Sequence, residues 1–329
     1  MNFVAQPFTA DNVVSENELF LQDALNGLNK RQKSLPSKYF YDATGSRIFE
    51  EICELEEYYV TRTELQILKK YRHEMAAYFD NEMTVIEPGA GAGIKVSILL
   101  EALQKPKKFI PLEISNEAIS MSSHHLNQQH PNIEISPLQG DFTSTADLRR
   151  VATLFRKNEK RMVFFPGSTL GNFSPSEALS ILNNLKILAG EKGKILLGVD
   201  LIKDRSRLIS AYNDKQGVTA RFNLNLLTRM NKELGCNFDV RQGFTHNAVF
   251  NERHSRIEMH LIANRDQVVT LGHHRILFKK GETIHTENSH KYSVDSINRL
   301  ISQLNMTIED HWQDANQDFG LFLLTSNQS

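Results

Sequence analysis

The stretch Thr84-Val85-Ile86-Glu87-Pro88-Gly89-Ala90-Gly91-Ala92-Gly93 runs from an apolar strand into a glycine turn, and a helical pattern carried by Ile94, Ile98, Leu99 and Ala102 follows. Outward from this β-turn-α unit, residues 108–114 read as a second strand, 116–130 as a helix and 133–138 as a weaker third strand. A fourth strand follows at 162–165, a helix at 177–188 and a fifth strand at 194–199. Strands spaced by helices, several of them continuously apolar, imply an α/β fold with a doubly wound parallel sheet covered on both faces. A ligand of such a sheet lies at the carboxyl ends of its strands, where the winding reverses.

After Asp200 the rhythm breaks. Residues 204–213 and 219–235 read as helices, and 247–250, 256–262 and 275–278 as strands with partial alternation. From about 293 the βα character returns, with a helix through Ile297, Leu300, Ile301 and Leu304, a strand near 306–312 and a last apolar strand at 319–324. The simplest parsing is a cofactor-binding domain of 62–201 plus 292–329, split by an insertion. Residues 1–61 plus 202–291 then form a second, α+β substrate-recognition domain.

The chain's 329 residues allow this, since about 150 residues suffice for a domain. With 38 Lys plus Arg against 39 Asp plus Glu, the net charge of −1 gives no general attraction to nucleic acid or an anionic membrane. The expected partner is a small molecule, and a monomer is expected. The two cysteines, Cys53 and Cys236, are far apart with no CxxC pair, which fits a reducing cytoplasm and excludes a disulfide framework. Met1-Asn2-Phe3-Val4-Ala5-Gln6-Pro7-Phe8 has no basic start leading into an apolar run, and no stretch approaches about 18 uncharged apolar residues. The histidine pairs His124-His125 and His273-His274 are adjacent and cannot both face one metal from a regular element, so no metal is expected.

A strand-ending glycine turn is also a common sharp bend, so its neighbours decide what it holds. A dinucleotide would set an anionic pyrophosphate over the turn, where Glu87 repels it. S-adenosylmethionine instead brings an ammonium and a sulfonium, which a carboxylate attracts. Glu113 ends the second strand 24 residues after Gly89, near the spacing at which an acid accepts from ribose hydroxyls. After the third strand, Asp141 offers an acceptor to an adenine amino group and Phe142 a ring face, although Asp141 also suits a plain turn. Glu87, Gly89, Gly91, Lys95, Glu113, Asp141 and Phe142 form the expected cofactor set.

From about residue 36 onward the chain resembles the histidine-specific N-alpha-methyltransferases, which make trimethylhistidine (hercynine) for ergothioneine synthesis. The matching blocks include Tyr41-Asp42-Ala43-Thr44-Gly45-Ser46-Arg47-Ile48-Phe49-Glu50, Glu57-Tyr58-Tyr59-Val60-Thr61-Arg62-Thr63-Glu64 and Gly167-Ser168-Thr169-Leu170-Gly171-Asn172-Phe173. Others are Ala211-Tyr212-Asn213-Asp214, Phe222-Asn223-Leu224-Asn225-Leu226-Leu227, Arg256-Ile257-Glu258-Met259 and Gly281-Glu282-Thr283-Ile284-His285-Thr286-Glu287-Asn288-Ser289. The resemblance implies a class I (Rossmann-like) S-adenosylmethionine-dependent methyltransferase sheet with a second domain. It sets the substrate imidazole against Glu287 and Ser289 with Tyr58 nearby, and the carboxylate against Asn172 and Tyr212. Asn172 and the Gly167 carbonyl orient the α-amine, so Asn172, Tyr212 and Gly167 are the expected catalytic set. Tyr41, Phe49 and Met259 line the pocket.

Each of these residue types also has an ordinary structural use: Tyr58 and Tyr212 as core tyrosines, Met259 as filler on a strand, Glu287 and Ser289 as a loop and cap pair. The chain departs from the family pattern at Pro88 (leucine expected), Glu113 (aspartate) and Val60 (proline), positions that bear on the cofactor more than on the substrate. The implied reaction is in-line attack of the neutral α-amine on the methyl group, three times over, with the proton route open among Asn172, a tyrosine and bulk water. Competing readings are an N-methyltransferase for another aromatic amino acid or an indole amine, a NAD-dependent oxidoreductase and a non-catalytic adenosylmethionine-binding protein.

Overall fold

The structure, a computed structural model, describes residues 15–79, 81–91, 93–114, 126–156 and 158–327. The N-terminal octapeptide, the pair His124-His125, residues 116–125 of the expected helix and the last two residues of the chain lie outside these; 126–129 are helical. Among the described residues no helix is long and apolar enough to cross a membrane.

From the N-terminal side the elements are α1 (Glu16–Leu28), β1 (Lys33–Ser34), α2 (Ala43–Cys53) and α3 (Tyr59–Ala76). Then come β2 (Thr84–Pro88), α4 (Ile94–Ala102), β3 (Lys108–Glu113), β4 (Glu134–Ile135) and β5 (Leu138–Gln139). They are followed by α5 (Thr145–Ala152), β6 (Arg161–Phe165), α6 (Pro175–Ala189) and β7 (Lys194–Asp200). Residues after Asp200 form α7 (Arg205–Tyr212), α8 (Val218–Leu234), β8 (Phe244–Asn251), β9 (Arg256–Ala263), β10 (Gln267–Leu271), β11 (His274–Phe278) and β12 (Thr283–His290). The last elements are α9 (Val294–Ser302), β13 (Met306–Gln313) and β14 (Phe319–Ser326).

Two compact units share the chain. One comprises the residues up to Ile52 with Lys215–Ala248 and Met259–Glu287; the other comprises Cys53–Asp214, Val249–Glu258 and the chain from Asn288. The divisions fall at 52/53, 214/215, 248/249, 258/259 and 287/288. The larger unit keeps α3 because that helix buries Val60, Ile67, Leu68 and Met75 on one face, packed on α4 and β14.

The larger unit is built on one sheet of order β13-β14-β7-β6-β2-β3-β4, with β5 also paired to β3. The expected third strand is two short ones. β7, β6, β2 and β3 run parallel, and the all-buried β2 and β6 read as the continuous apolar runs that a doubly covered sheet needs. β14 and β13 reverse direction, each antiparallel to its neighbour. From β2 the chain winds outward through β3 to β4, then crosses back to β6 on the other side of β2, so the switch point lies at the carboxyl ends of β2 and β6. α6 is started by Ser174, whose hydroxyl accepts from the Glu177 amide while Glu177 accepts from the Ser174 amide.

A second sheet has the strand order β1-β12-β9-β8, and the β10–β11 hairpin lies in the smaller unit. Residues 283–290 form a strand, so the loop-and-cap alternative for Glu287 and Ser289 does not hold: the two stand two places apart along β12.

In the larger sheet Leu197 is fully buried, opposite Phe165 on β6 and Phe322 on β14. Leu197→Ala is expected to lower unfolding stability by about 3 kcal/mol. Urea unfolding measures this, and a loss below about 1 kcal/mol would mean that the sheet centre collapses around the cavity.

Candidate active site

β2 ends in the glycine turn, where Gly89, Gly91 and Gly93 hold φ of +70°, +52° and +72°. At Gly91 a Cβ would meet nothing within 4 Å, so glycine is used there for its backbone conformation. The same feature leaves open space over the turn. The Gly91 amide donates to Glu113 Oε1 at 3.0 Å, and the Phe142 ring lies 3.7 Å from where a Gly89 Cβ would stand. Phe142 also meets Phe165 edge to face at 5.4 Å. The Asp141 carboxylate accepts from the Thr143 amide and hydroxyl at 2.8 and 2.6 Å, the turn role that was its alternative.

Glu87 is 2% exposed, and its Oε2 has no hydrogen-bond partner. Burial pushes its carboxyl well above the usual range, Lys95 opposes this, and Glu113 and Glu64 add to it. Lys95, in the first turn of α4, instead pairs with the fully buried Glu64 of α3 at 2.6 Å. Both Glu64 oxygens accept from the Gly167 amide, at 2.9 and 3.0 Å. A buried acceptor without a donor beside an open glycine turn fits a cofactor that carries an ammonium.

After β6, Gly167 and Ser168 take φ of +78° and +57°, and 169–172 close one 3₁₀ turn ending at the half-buried Asn172. Ser168 Oγ accepts from the Asp200 amide at 3.0 Å, which fixes this turn to the carboxyl end of β7. A Cβ at Gly171 would stand 2.9 Å from the His290 carbonyl oxygen, so only glycine allows that approach.

Asp200 itself is fully buried and accepts from Lys291 at 2.7 Å, from Lys203 and, with both oxygens, from the Tyr59 hydroxyl at 2.9 Å. Burial alone would raise this carboxyl, but Lys291 and then Lys203 bring it below the usual range. Burial lowers Lys203 to about 8 against the pull of Asp200. Lys291 goes the other way: burial would lower it, yet Asp200 and Tyr212 hold it above the usual range. From Asp200 the bonds run on through Lys291 to Ser289 Oγ at 2.7 Å and to the Tyr212 hydroxyl at 3.1 Å, and those two oxygens lie 2.7 Å apart. Tyr58 meets Tyr212 edge to face at 6.1 Å.

Within the smaller unit Tyr41 and Phe49 pack edge to face at 5.6 Å, and both rest against Phe222 of α8, at 5.7 and 5.9 Å. Tyr41 stays 44% exposed, as a lining residue needs. Met259 is buried on the inward face of β9, and its carbonyl accepts from Thr286 Oγ1 at 3.1 Å. Glu287 is half-buried on β12, and its carbonyl meets His285 Nε2 at 3.0 Å. The rings of His285 and His260 stack at 4.9 Å.

The structure therefore gathers Glu87, Gly89, Gly91, Lys95, Glu113, Phe142 and Gly167 around the glycine turn, and Tyr58, Tyr212 and Ser289 around a buried lysine. Glu64, Asp200, Lys203, Lys291 and Phe222 were not singled out from sequence. Glu64 had a signal, an acid on the same face of α3 as the apolar Val60, Ile67 and Leu68. Lys291 and Asp200 had none, because they meet across the fold.

A sheet with its switch point at a glycine-ended strand, a buried acid beside that turn and acids on the next strands define a class I, Rossmann-like S-adenosylmethionine-dependent methyltransferase. The chain belongs to the S-adenosylmethionine-dependent, histidine-specific methyltransferase family, whose model it matches over residues 20–326. It is 36% identical over 314 residues to the histidine N-alpha-methyltransferase of Mycolicibacterium smegmatis, covering 94% of this chain and 95% of that protein. To the enzyme of the same name from Mycobacterium tuberculosis it is 35% identical, covering 92% and 93%. The ergothioneine biosynthesis protein 1 of Neurospora crassa is 31% identical over 90% of this chain, which spans 33% of that protein.

Glu64→Gln puts an amide NH₂ against the donors of Lys95 and Gly167. It is expected to lower stability by about 3 kcal/mol, the cost of breaking a buried pair, and to weaken S-adenosylhomocysteine binding about tenfold, roughly 1.4 kcal/mol. Urea unfolding and calorimetric titration check these, and an unchanged affinity would remove Glu64 from the support of the cofactor.

Proposed function

We propose that this chain methylates the α-amine of L-histidine from S-adenosylmethionine, and that it does so three times to give trimethylhistidine. The observation that carries the reading is the family match across residues 20–326. At the level of the site it is supported by Tyr212 and Ser289, assigned to opposite ends of the amino acid, whose hydroxyls lie 2.7 Å apart although 77 residues separate them.

The larger unit holds the cofactor, with Glu87, Gly89, Gly91, Lys95, Glu113, Asp141 and Phe142 around it. S-adenosylmethionine supplies a methyl group already activated on a sulfonium, so the residues of the chain have to align and dehydrate rather than activate. Asn172 and Tyr212 hold the substrate carboxylate. Asn172 and the Gly167 carbonyl turn the α-amine toward the methyl group. Glu287 and Ser289, with Tyr58, bond the imidazole, and the cost of leaving the Glu287 carboxylate without its donor rejects rings that lack that nitrogen. Tyr41 and Phe49 offer aromatic faces to the ammonium as methyl groups accumulate, and Met259 packs behind them. The enzyme acts as a monomer in the cytoplasm on a free amino acid, without nucleic acid; its near-neutral charge suits a small zwitterion.

Incubation with methyl-labelled S-adenosylmethionine and each of histidine, tryptophan and tyrosine, read by mass, should give histidine carrying one, two and finally three methyl groups. Methylated tryptophan or tyrosine in its place would overturn the substrate assignment, and histidine that stops at one methyl group would overturn the three-step reading. Glu287→Ala is expected to lower kcat/KM for histidine about 100-fold or more while S-adenosylhomocysteine affinity changes less than about twofold. Equal loss of both would make Glu287 structural. Asn172→Ala should lower kcat about 100-fold with cofactor affinity kept, and a near-normal rate would take Asn172 out of the alignment of the amine.

A further inference from the structure

The ammonium of Lys291 is buried and its three N–H donors have three partners: Asp200 Oδ2 at 2.7 Å, Ser289 Oγ at 2.7 Å and the Tyr212 hydroxyl oxygen at 3.1 Å. A lysine has no acceptor to offer. Toward Lys291, therefore, both hydroxyls act only as acceptors, and their hydrogens are directed elsewhere. The bond between the two hydroxyls, at 2.7 Å, uses one of those hydrogens, and the other is directed away from Lys291. A cation bonded to a hydroxyl oxygen also polarises its O–H and makes it a stronger donor.

The charges point the same way. Asp200 lies between Lys203 and Lys291, so two ammonium groups face one carboxylate and a single positive charge is left over. Arg207, 4.8 Å from the centroid of the Tyr59 ring, is matched by Asp318 at 2.6 Å. The surplus cation is thus not neutralised by the neighbouring pair, and in a buried setting it favours an anionic group nearby. The backbone holds Lys291 in place: its own amide donates to the Ser255 carbonyl at 2.7 Å, and the next amide, of Tyr292, donates to the Asp200 carbonyl at 2.9 Å.

We propose that Lys291, anchored by Asp200, is a positioning residue for the substrate carboxylate: it takes no hydrogen from Tyr212 or Ser289, so that, with Ser289 donating to the Tyr212 oxygen, the Tyr212 hydrogen is left to donate to the carboxylate. The proposal rests on the reading that Tyr212 holds that group. Lys291 acts through Tyr212, and the two residues are one device for binding the anionic end of an amino acid. Removing the ammonium leaves Asp200 still bonded to Lys203 and Tyr59, so the fold keeps its carboxylate anchored.

The test uses the full chain as Lys291→Met, Tyr212→Phe and the double variant, with KM and kcat for L-histidine, S-adenosylhomocysteine affinity and thermal melting measured on each. Lys291→Met is expected to raise KM for histidine about tenfold or more, with kcat falling less and S-adenosylhomocysteine affinity within about twofold. The double variant should bind histidine no more weakly than Tyr212→Phe alone, the non-additivity of residues that act as a unit. Wild-type KM in Lys291→Met, additive losses in the double variant, or parallel loss of histidine and S-adenosylhomocysteine binding would each overturn the proposal. If Tyr212→Phe itself left KM unchanged, the underlying assignment of Tyr212 would be what fails. Should Lys291→Met not fold, Lys291→Gln, which keeps two N–H donors but no charge, takes its place with the same expected direction and the same overturning results.

Discussion

Asp200 is the constraint on which the rest of the larger unit depends. It stands fully buried at the carboxyl end of β7, and four separate parts of the chain converge on it: Tyr59 at the start of α3, Ser168 through the Asp200 amide, Lys203 beyond the strand and Lys291 beyond β12. A lone carboxylate in such a place would be very costly, and Lys203, Lys291 and Tyr59 share the work of compensating it. Burial of an ion pair adds little net stability, but removing one member leaves a charge with no solvent. The geometry at the end of β7 is thereby specified more tightly than apolar packing alone would specify it.

The glycine turn is governed by a different use of buried acids. Glu64 and Glu87 are both buried near Lys95, yet Glu64 takes the lysine and the Gly167 amide while Glu87 keeps an oxygen without a donor. The first acid is structural support, holding the turn after β6 against α4. The second is an unmet demand, and an unmet buried acceptor is what a bound cation or N–H donor relieves. Lys95, expected beside the cofactor, is held at that turn by its pair with Glu64.

The doubly wound sheet was legible in the sequence because β2, β6 and β7 are continuous apolar runs between helices, and the glycine turn because positive φ at 89, 91 and 93 needs glycine. β12 was not legible as a strand. Its residues, Thr283-Ile284-His285-Thr286-Glu287-Asn288-Ser289-His290, are almost all polar, so burial alternates along it without any alternation of hydrophobicity. The side chains of the candidate substrate site were legible only as members of matched blocks, since a tyrosine or a serine carries no period. Lys291 escaped even so: it lies just past a matched block, and its meaning comes from Asp200, 91 positions earlier.

A chain with nearly balanced charge still builds strong local fields, because the groups that count are few and buried. Near β2 the larger unit presents an acceptor in want of a proton donor, Glu87; near the end of β7 it presents a surplus cation whose donors end on two hydroxyls. Both ligands of the family's reaction are amino acids at one end, each carrying an ammonium and a carboxylate. Under the proposed assignment, Glu87 disfavours a cofactor turned with its carboxylate toward β2, and Lys291 disfavours a substrate turned with its ammonium toward Tyr212.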